Sequence, residues 1–264
     1  MTLRLLTWNI KTGGSGGRLD AIVALLARER PDIAALQELR DFQRHDGQRM
    51  REVAAALGMT AFLARSAFGQ PVAVLVRPPL TVTRRSAVRW RLHHAASAVT
   101  VPTSEGPLTV VSTHLNPFSP YRRFREARWL AHRYRGPLTV ITGDLNSLDP
   151  HTAHTERLAR LPELYRRRHL GPDGHPDTRA IAAFAAAGFT DVWRTAGGTD
   201  GLTVPTTRGG GREFSNAGMR LDYVLARPQL AARAEAARVV RGDEAEWASD
   251  HYPLAVELDL TAPR

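Results

Sequence analysis

The chain has 264 residues, a length that one layered domain or two smaller domains can fill. It contains no cysteine, which excludes disulfides and cysteine-ligated zinc, so any metal must bind through oxygen or imidazole ligands. The 36 basic and 26 acidic residues give a net charge of +10, and Lys11 is the only lysine. This balance favours an anionic partner, although an arginine-rich composition can also follow from the base composition of the genome.

No apolar stretch approaches the roughly 20 residues that span a bilayer, and the longest lies at residues 180–187. The first ten residues hold too short an apolar run for a signal peptide. We therefore expect a cytoplasmic protein with no membrane insertion and no obligate protein partner.

Strand and helix patterns alternate at the start of the chain. Residues 3–9 predict a strand, and a glycine-rich loop then opens a helix with apolar residues from Leu19 to Leu26 along one face. Pro31 marks the end of that helix. The apolar run 32–38 predicts a strand covered on both faces, and residues 48–57 predict a second helix.

Short β-rich segments separated by turn residues follow. They predict strands at residues 61–64, 72–76, 81–85, 96–101, 108–115, 138–143, 221–225 and 253–260. A basic helix is predicted over 121–134, a helical or looped segment over 151–188 and a glycine-rich loop over 197–218. Many strands with interspersed helices and no long polar linker predict an α+β fold, two packed sheets flanked by helices, in one domain covering residues 1–264.

Ionisable or amide side chains stand at the ends of several predicted strands, in the segments TWNI, LQE, STHL, GDLN, LDYVL and SDH. The residues concerned are Asn9, Glu38, His114, Asp144, Asn146, Asp222, Asp250 and His251. Any one of them alone is typical of a solvated strand end or a turn. Together they supply three or four carboxylates, two amides and two imidazoles on rigid supports, which is the inventory of an active site.

Hydrolysis of a phosphate ester suits this inventory, because the phosphorus is screened by anionic oxygens that must be neutralised. A hard cation, Mg²⁺ or Mn²⁺, held by oxygens of Glu38, Asp250 and Asn9 would do so. The attacking water needs a base, and an imidazole oriented by a carboxylate is suited to that task. His251 with Asp222 is the candidate pair.

The segments, in this order, resemble the endonuclease/exonuclease/phosphatase superfamily, also called the DNase I-like fold, over residues 7–253. The resemblance implies a four-layer α/β/β/α sandwich of two mixed sheets between helices. It also implies a metal-dependent phosphodiesterase or phosphomonoesterase site at one edge. Asn9 and Glu38 would then lie at the metal with Asp250 nearby, and His114 would contact the phosphoryl oxygens.

The resemblance further implies how water is activated. Asp144 and Asn146 would orient or deprotonate the nucleophilic water and stabilise the transition state. Asp222 and His251 would form the carboxylate–imidazole pair of the family. Asp144 and His251 stay rival candidates for the base, because members of the family differ on this point.

Departures from the family's branches bear on the substrate. The abasic-site repair branch carries other residues around the first strand and the metal glutamate than the WNIKTGG and QELRD found here. The secreted nucleases have disulfides, which a chain without cysteine cannot form, and leaders, which we do not expect here. We expect a nuclease acting on DNA or RNA. The alternatives are an enzyme for a small phosphorylated metabolite or lipid head group, or a repurposed fold with a binding role.

Basic residues are the candidates for substrate binding. Arg40 follows the metal glutamate, and Tyr121, Arg122 and Arg125 begin the basic helix, where they would contact a phosphate backbone. The alternative is a solvated arginine-rich face. Trp90 is expected to pack into the core rather than to stack on a base.

Overall fold

The computed structural model describes residues 2–198, 200–211, 214 and 217–260. Its strands form two six-stranded sheets. The strands are β1 (Thr2–Asn9), β2 (Ile33–Gln37), β3 (Thr60–Ala64), β4 (Val72–Val76), β5 (Arg84–Val88), β6 (Ala96–Thr103), β7 (Gly106–His114), β8 (Thr139–Asp144), β9 (Thr190–Asp191), β10 (Asp222–Ala226), β11 (Ala234–Val239) and β12 (Leu254–Asp259).

Helices connect the strands. They are α1 (Lys11–Gly14), α2 (Leu19–Glu29), α3 (Gln48–Leu57), α4 (Pro120–Arg133), α5 (Thr155–Ala159), α6 (Glu163–Arg166), α7 (Arg179–Ala186), α8 (Val192–Ala196) and α9 (Pro228–Ala231). Within the described part of the chain, no helix is long and apolar enough to cross a membrane.

Both sheets are mixed. The first has the order β11-β12-β1-β2-β4-β3 and the second the order β5-β6-β7-β8-β10-β9. The pairs β1–β2 and β7–β8 are parallel and the other pairs are antiparallel. Each sheet therefore carries one parallel pair at its centre.

Three apolar clusters separate four layers. Leu5 of β1 and Val110 of β7 belong to the cluster between the sheets. Helices α2 and α3 pack on the first sheet, and α4 and α7 pack on the second. This arrangement confirms the predicted α/β/β/α sandwich.

The alternation along β1 explains why polar residues reach the space between the sheets. Leu3 and Leu5 face the second sheet, whereas Leu6 and Trp8 face the helices. Two-residue alternation then directs Thr7 and Asn9 inward as well. At the Asn9 end of β1, polar residues therefore replace apolar residues in the space between the two sheets.

Two edge strands, β5 and β11, differ from the expectation drawn from the sequence. The strand predicted at 81–85 is wrong, because the strand lies at Arg84–Val88, an exposed edge whose polar residues mask the pattern. The alanine-rich edge strand β11 was not predicted, since alanine is a poor indicator of strands.

Candidate active site

Several strand ends meet at one edge of the sandwich. In the parallel pair β1–β2, Asn9 lies opposite Gln37, and in the parallel pair β7–β8, His114 lies opposite Asp144. Strand β10 runs antiparallel to β8, so its first residue, Asp222, lies opposite Asp144. Strand direction therefore brings residues from distant parts of the chain to the same edge.

Asp144 is the centre of the cluster and is buried. Its Oδ2 accepts a hydrogen bond from Nδ2 of Asn9 at 3.0 Å and lies 3.3 Å from Nε2 of His114 and 3.7 Å from Nε2 of His251. Its Oδ1 accepts the backbone N–H of Asn146 at 2.9 Å. Five of the residues named from the sequence thus form one contact network.

The turn that carries Asp144 depends on the glycine before it. Gly143 has φ +137°, and a Cβ at this position would lie 2.0 Å from the carbonyl oxygen of Thr113. A glycine is required for β7 and β8 to approach so closely. After the turn, Asn146 adopts φ +48° and donates its amide to the carbonyl of Leu115 at 3.1 Å.

His251 and Asp222 form a buried pair in which Nδ1 lies 2.8 Å from Oδ2. Burial lowers the pKa of His251, but the carboxylates of Asp222, Asp144 and Asp250 outweigh this effect and raise the pKa to about 10. Burial also raises the pKa of Asp222, against the attraction of His251. Three carboxylates surround the ring, and their charges favour the imidazolium form of His251.

Glu38 directly follows the last residue of β2 and is half-buried. Its Oε2 accepts the backbone N–H of Thr12 at 2.9 Å and the amide of Gln70 at 3.3 Å. Its Oε1 accepts Nδ2 of Asn9 at 3.1 Å. Glu38 is itself in the left-handed region, with φ +59°. These hydrogen bonds therefore hold the carboxylate of Glu38 in place just after the end of β2.

Asn9 links the two carboxylates, since its Nδ2 donates to both Glu38 and Asp144. Its Oδ1 accepts the backbone N–H of Lys11 at 3.0 Å. Asn9 therefore orients the carboxylates of Glu38 and Asp144, while its side-chain oxygen is occupied by the backbone N–H of Lys11. Its predicted role as a metal ligand stays a prediction.

Lys11 is a site residue that the sequence did not reveal. Its Nζ lies 3.2 Å from Oδ2 of Asp250 and donates to the carbonyl of Gly209 at 2.9 Å. The carboxylate predicted to hold the metal is thus already paired with a cation. The only available signal was that the chain has a single lysine.

A cavity of about 450 Å³ opens above these residues. One wall contains three histidines, in which the ring of His94 lies 4.3 Å from that of His114 and 4.5 Å from that of His93. Burial, with the neighbouring His114, lowers the pKa of His94, so this ring is neutral. The adjacent pair His93 and His94 had no interpretation from sequence, because only packing brings His94 to His114.

The residues predicted to bind substrate occupy different places. Arg40 lines the cavity, and Arg122 and Arg125 line a second depression beside it. Tyr121 is exposed at the start of α4, outside the lining of both. Arg123, between them in sequence, is buried and donates to the carbonyl of Asn116 at 3.1 Å, so the basic helix is not uniformly solvated.

The donor set fits a hard divalent cation. Glu38, Asp144 and Asp250 all line the cavity, and carboxylate oxygens are the ligands that Mg²⁺ and Mn²⁺ prefer. Atoms of Asp144, Asp222 and His251 also lie within 4.8 Å of one another. That group is the poorer candidate, because Asp222 is fully buried and a protonated His251 cannot ligate.

The fold and the site together define a class of proteins, the phosphoester hydrolases built on a two-sheet sandwich. Residues 6–251 match the Endonuclease/Exonuclease/phosphatase family. The chain belongs to this family, whose enzymes use a divalent metal. The resemblance found in the sequence is thereby confirmed.

Solved structures share the fold at low sequence identity. An endonuclease/exonuclease/phosphatase from Bacteroides vulgatus has a TM-score of 0.73 at 14% identity, covering 99% of this chain and 100% of its own. A truncated TDP2 from Caenorhabditis elegans has a TM-score of 0.66 at 16% identity, with 98% and 97% covered. A mannosyl-6-phosphatase from Bacteroides thetaiotaomicron has a TM-score of 0.69 at 16% identity, with 97% and 99% covered. Among curated proteins, no sequence match was found.

Proposed function

We propose that this protein is a divalent-metal-dependent phosphodiesterase that cleaves nucleic acid by attack of water on phosphorus. The main support is one arrangement, the buried Asp144 in contact with the amide of Asn9 and close to the imidazoles of His114 and His251. In this proposal the arrangement supplies a base, hydrogen-bond donors and positive charge around one point at the floor of the cavity.

Glu38 and Asp250 would hold Mg²⁺ or Mn²⁺, with Asn9 orienting Glu38. When bound, such an ion neutralises the charge of the phosphoryl group and polarises its oxygen. Lys11 would be displaced from Asp250 or would remain to contact a phosphate oxygen.

Asp144 is the better candidate for the base. The imidazolium of His251 has no lone pair with which to accept a proton, whereas the carboxylate of Asp144 lines the cavity and can accept one. The oxygen of water forms its bond to phosphorus as the ester bond breaks, and the water's proton passes to Asp144. His251 stabilises the phosphoryl oxygens and donates a proton to the departing oxygen, while Asn146 and His114 orient the reacting groups.

Nucleic acid is the favoured substrate because of where the arginines lie. Arg40 and Arg168 line the cavity, and Arg122 and Arg125 line the neighbouring depression. A chain of net charge +10 with guanidinium groups beside its site attracts a polyanion. Tyr121 extends this basic surface through the guanidinium of Arg125, 5.9 Å from its ring centre.

A small phosphate ester is the second candidate. The cavity volume of about 450 Å³ is in the range of sites for small molecules, which run to about 300–1,000 Å³. The shared fold with the Bacteroides thetaiotaomicron mannosyl-6-phosphatase is compatible with such a substrate.

A substrate panel tests both candidates. Single-stranded and duplex DNA, RNA, a sugar phosphate and bis(4-nitrophenyl) phosphate would be incubated with Mg²⁺, with Mn²⁺ and after chelation. We expect polynucleotide cleavage that requires metal and falls by on the order of 100- to 10,000-fold in Asp144→Asn and His251→Ala. Turnover of the sugar phosphate with intact polynucleotides would select the second candidate, and hydrolysis undiminished by chelation would contradict the metal mechanism.

A further inference from the structure

A second depression, of about 440 Å³, adjoins the catalytic cavity. The two share Phe68 and His93 in their linings, so one leads directly into the other. None of the catalytic groups proposed above lines the second depression. Its residues therefore serve something other than the chemical step.

Two aromatic side chains in this depression are strongly exposed. Trp90 is 78% exposed and Phe68 is 60% exposed. Phe68 stacks on His93 with ring centres 4.3 Å apart and planes 13° apart, which holds its ring in a fixed orientation. The expectation that Trp90 packs into the core is wrong. Large exposed aromatics clustered beside an active site are typical of a binding surface.

The charge of the depression is positive. Arg91, Arg122 and Arg125 line it and are all exposed. Among the described residues of the lining, Glu126 is the one carboxylate. It is buried, and its two oxygens accept the backbone N–H groups of His93 and Asn116. The groups presented to solvent are therefore cationic.

Exposed rings beside exposed guanidiniums match one ligand chemistry. Nucleobases stack on aromatic rings, while the phosphates between them pair with arginines. In a duplex the faces of the bases are already stacked on one another, so only an unpaired strand can offer them to Trp90 and Phe68.

We propose that the depression lined by Phe68, Trp90, Arg122 and Arg125 is a subsite for a single-stranded polynucleotide, which holds the nucleotides next to the phosphate in the catalytic cavity. The inference rests on the proposed nuclease function and specifies its substrate class. The shared residues Phe68 and His93 mark where the strand passes from the subsite to the site of cleavage.

Binding is measured separately from cleavage. In an Asp144→Asn background, fluorescence anisotropy with labelled single-stranded DNA, single-stranded RNA and duplex DNA gives Kd for each ligand. We expect both single strands to bind more tightly than the duplex. Trp90→Ala should weaken single-strand binding by on the order of 5- to 100-fold, the range that base stacking supplies, while Trp90→Phe retains most of the affinity.

A control for the loss of positive charge is available on helix α4, which carries Arg122 and Arg125. Arg122→Ala and Arg125→Ala should each weaken binding more than Arg128→Ala, because Arg128 lies outside the depression and contacts Phe124 instead. All three variants lose the same charge. Equal effects of the three would mean that only net charge matters, and this result would overturn the subsite.

The outcomes separate the two proposals. Duplex bound as tightly as single strands, or Trp90→Ala binding like its parent, overturns the subsite even if the enzyme cleaves polynucleotides. Single-strand binding that depends on Trp90, combined with no cleavage of any polynucleotide by the wild-type protein, supports the subsite and refutes the nuclease function. Turnover of bis(4-nitrophenyl) phosphate by the wild-type protein and by Arg128→Ala, a variant outside the depression, verifies that the catalytic cavity is intact.

Discussion

The pair of Asp222 and His251 joins the first residue of β10 to the loop before β12, 29 residues later in the chain. Asp222 has no exposed surface, so its charge acts on His251 without screening by water. The backbone N–H of Asp222 donates to the hydroxyl of Thr203, which helps to fix the carboxylate. The pair is therefore rigid as well as charged.

Asp222→Asn removes the charge and keeps the shape. We expect kcat to fall by on the order of 100- to 10,000-fold, because the amide neither stabilises the imidazolium nor fixes the orientation of its ring. Steady-state kinetics measure the effect, and Asp20→Asn, at an exposed position on α2, is the matched control. A kcat equal to that of the control would show that His251 does not depend on Asp222.

Glu126 is another buried acid, and it lines the second depression together with His93. Burial raises its pKa to about 7, and the hydrogen bonds from Asn116 and His93 limit the rise. The folded protein thus holds this proton more tightly than the unfolded chain does. Its contribution to stability is complete below the ordinary value of 4.5 and is lost as the pH rises through about 7.

Glu126→Gln removes this titration. Between about pH 5 and about pH 8 the free energy of unfolding should fall less in the variant than in the wild type, by up to roughly 3 kcal/mol. Urea unfolding at both pH values measures the difference. Glu52→Gln, at an exposed position on α3, should keep the wild-type pH dependence, and an unchanged dependence in Glu126→Gln would assign the titration to another group.

At the scale of elements, the contact between β7 and β8 decides the geometry of the site. His114 and Asp144 end these two strands opposite each other. The strands approach closely where Gly143 meets the carbonyl of Thr113. A side chain at that point must separate the strands and with them the two catalytic candidates.

Gly143→Ala should therefore be strongly destabilising, by about 2–4 kcal/mol or more, because the added Cβ overlaps backbone. Gly174→Ala is the control, since Gly174 also has positive φ but has nothing within 4 Å of its added Cβ; only the backbone strain of about 1–2 kcal/mol applies there. Thermal unfolding compares the two. Similar losses of Tm would mean that β7 and β8 adjust to the extra atom.

Two edge strands, β5 and β11, were not predicted correctly. Strands β5 and β11 each pair on one side only, so their outer faces carry polar or small residues in place of an apolar alternation. The central strands β1, β2, β7 and β8 were predicted to within a few residues, because most of their residues are buried and their sequences are rich in apolar and β-branched residues.

At the scale of the whole molecule, the net charge of +10 predicts a dependence on salt. The kcat/KM for single-stranded DNA should fall steeply as salt concentration rises, whereas that for bis(4-nitrophenyl) phosphate should change little. Each arginine that pairs with a phosphate contributes a slope of about −0.7 in a plot of log affinity against log salt.

The double variant Arg122→Ala/Arg125→Ala should make that slope shallower by about 1.4. Measuring kcat/KM for the two substrates over a salt series tests this expectation. The control is the double variant Arg122→Ala/Arg128→Ala. It removes the same total charge but only one arginine of the depression, so it separates local contacts from overall charge. An unaltered slope in Arg122→Ala/Arg125→Ala would place the phosphate contacts elsewhere.

The sequence by itself determined the layered α/β/β/α fold, the family and the chemical inventory of the site. It could do so because the central strands are rich in apolar and β-branched residues, and ionisable or amide side chains follow at their ends. The residues from Asn9 to His251 were recognised in this way, and their order along the chain carried the resemblance.

Only the tertiary structure decided which side chains surround them. Lys11 reaches Asp250 across 239 residues of sequence, and His94 reaches His114 from the loop between β5 and β6. On helix α4, Arg123 is buried, whereas its neighbour Arg122 lines the second depression. Such choices depend on which face of an element meets a neighbour, and that is fixed when the two sheets pack against each other rather than by any local pattern of residues.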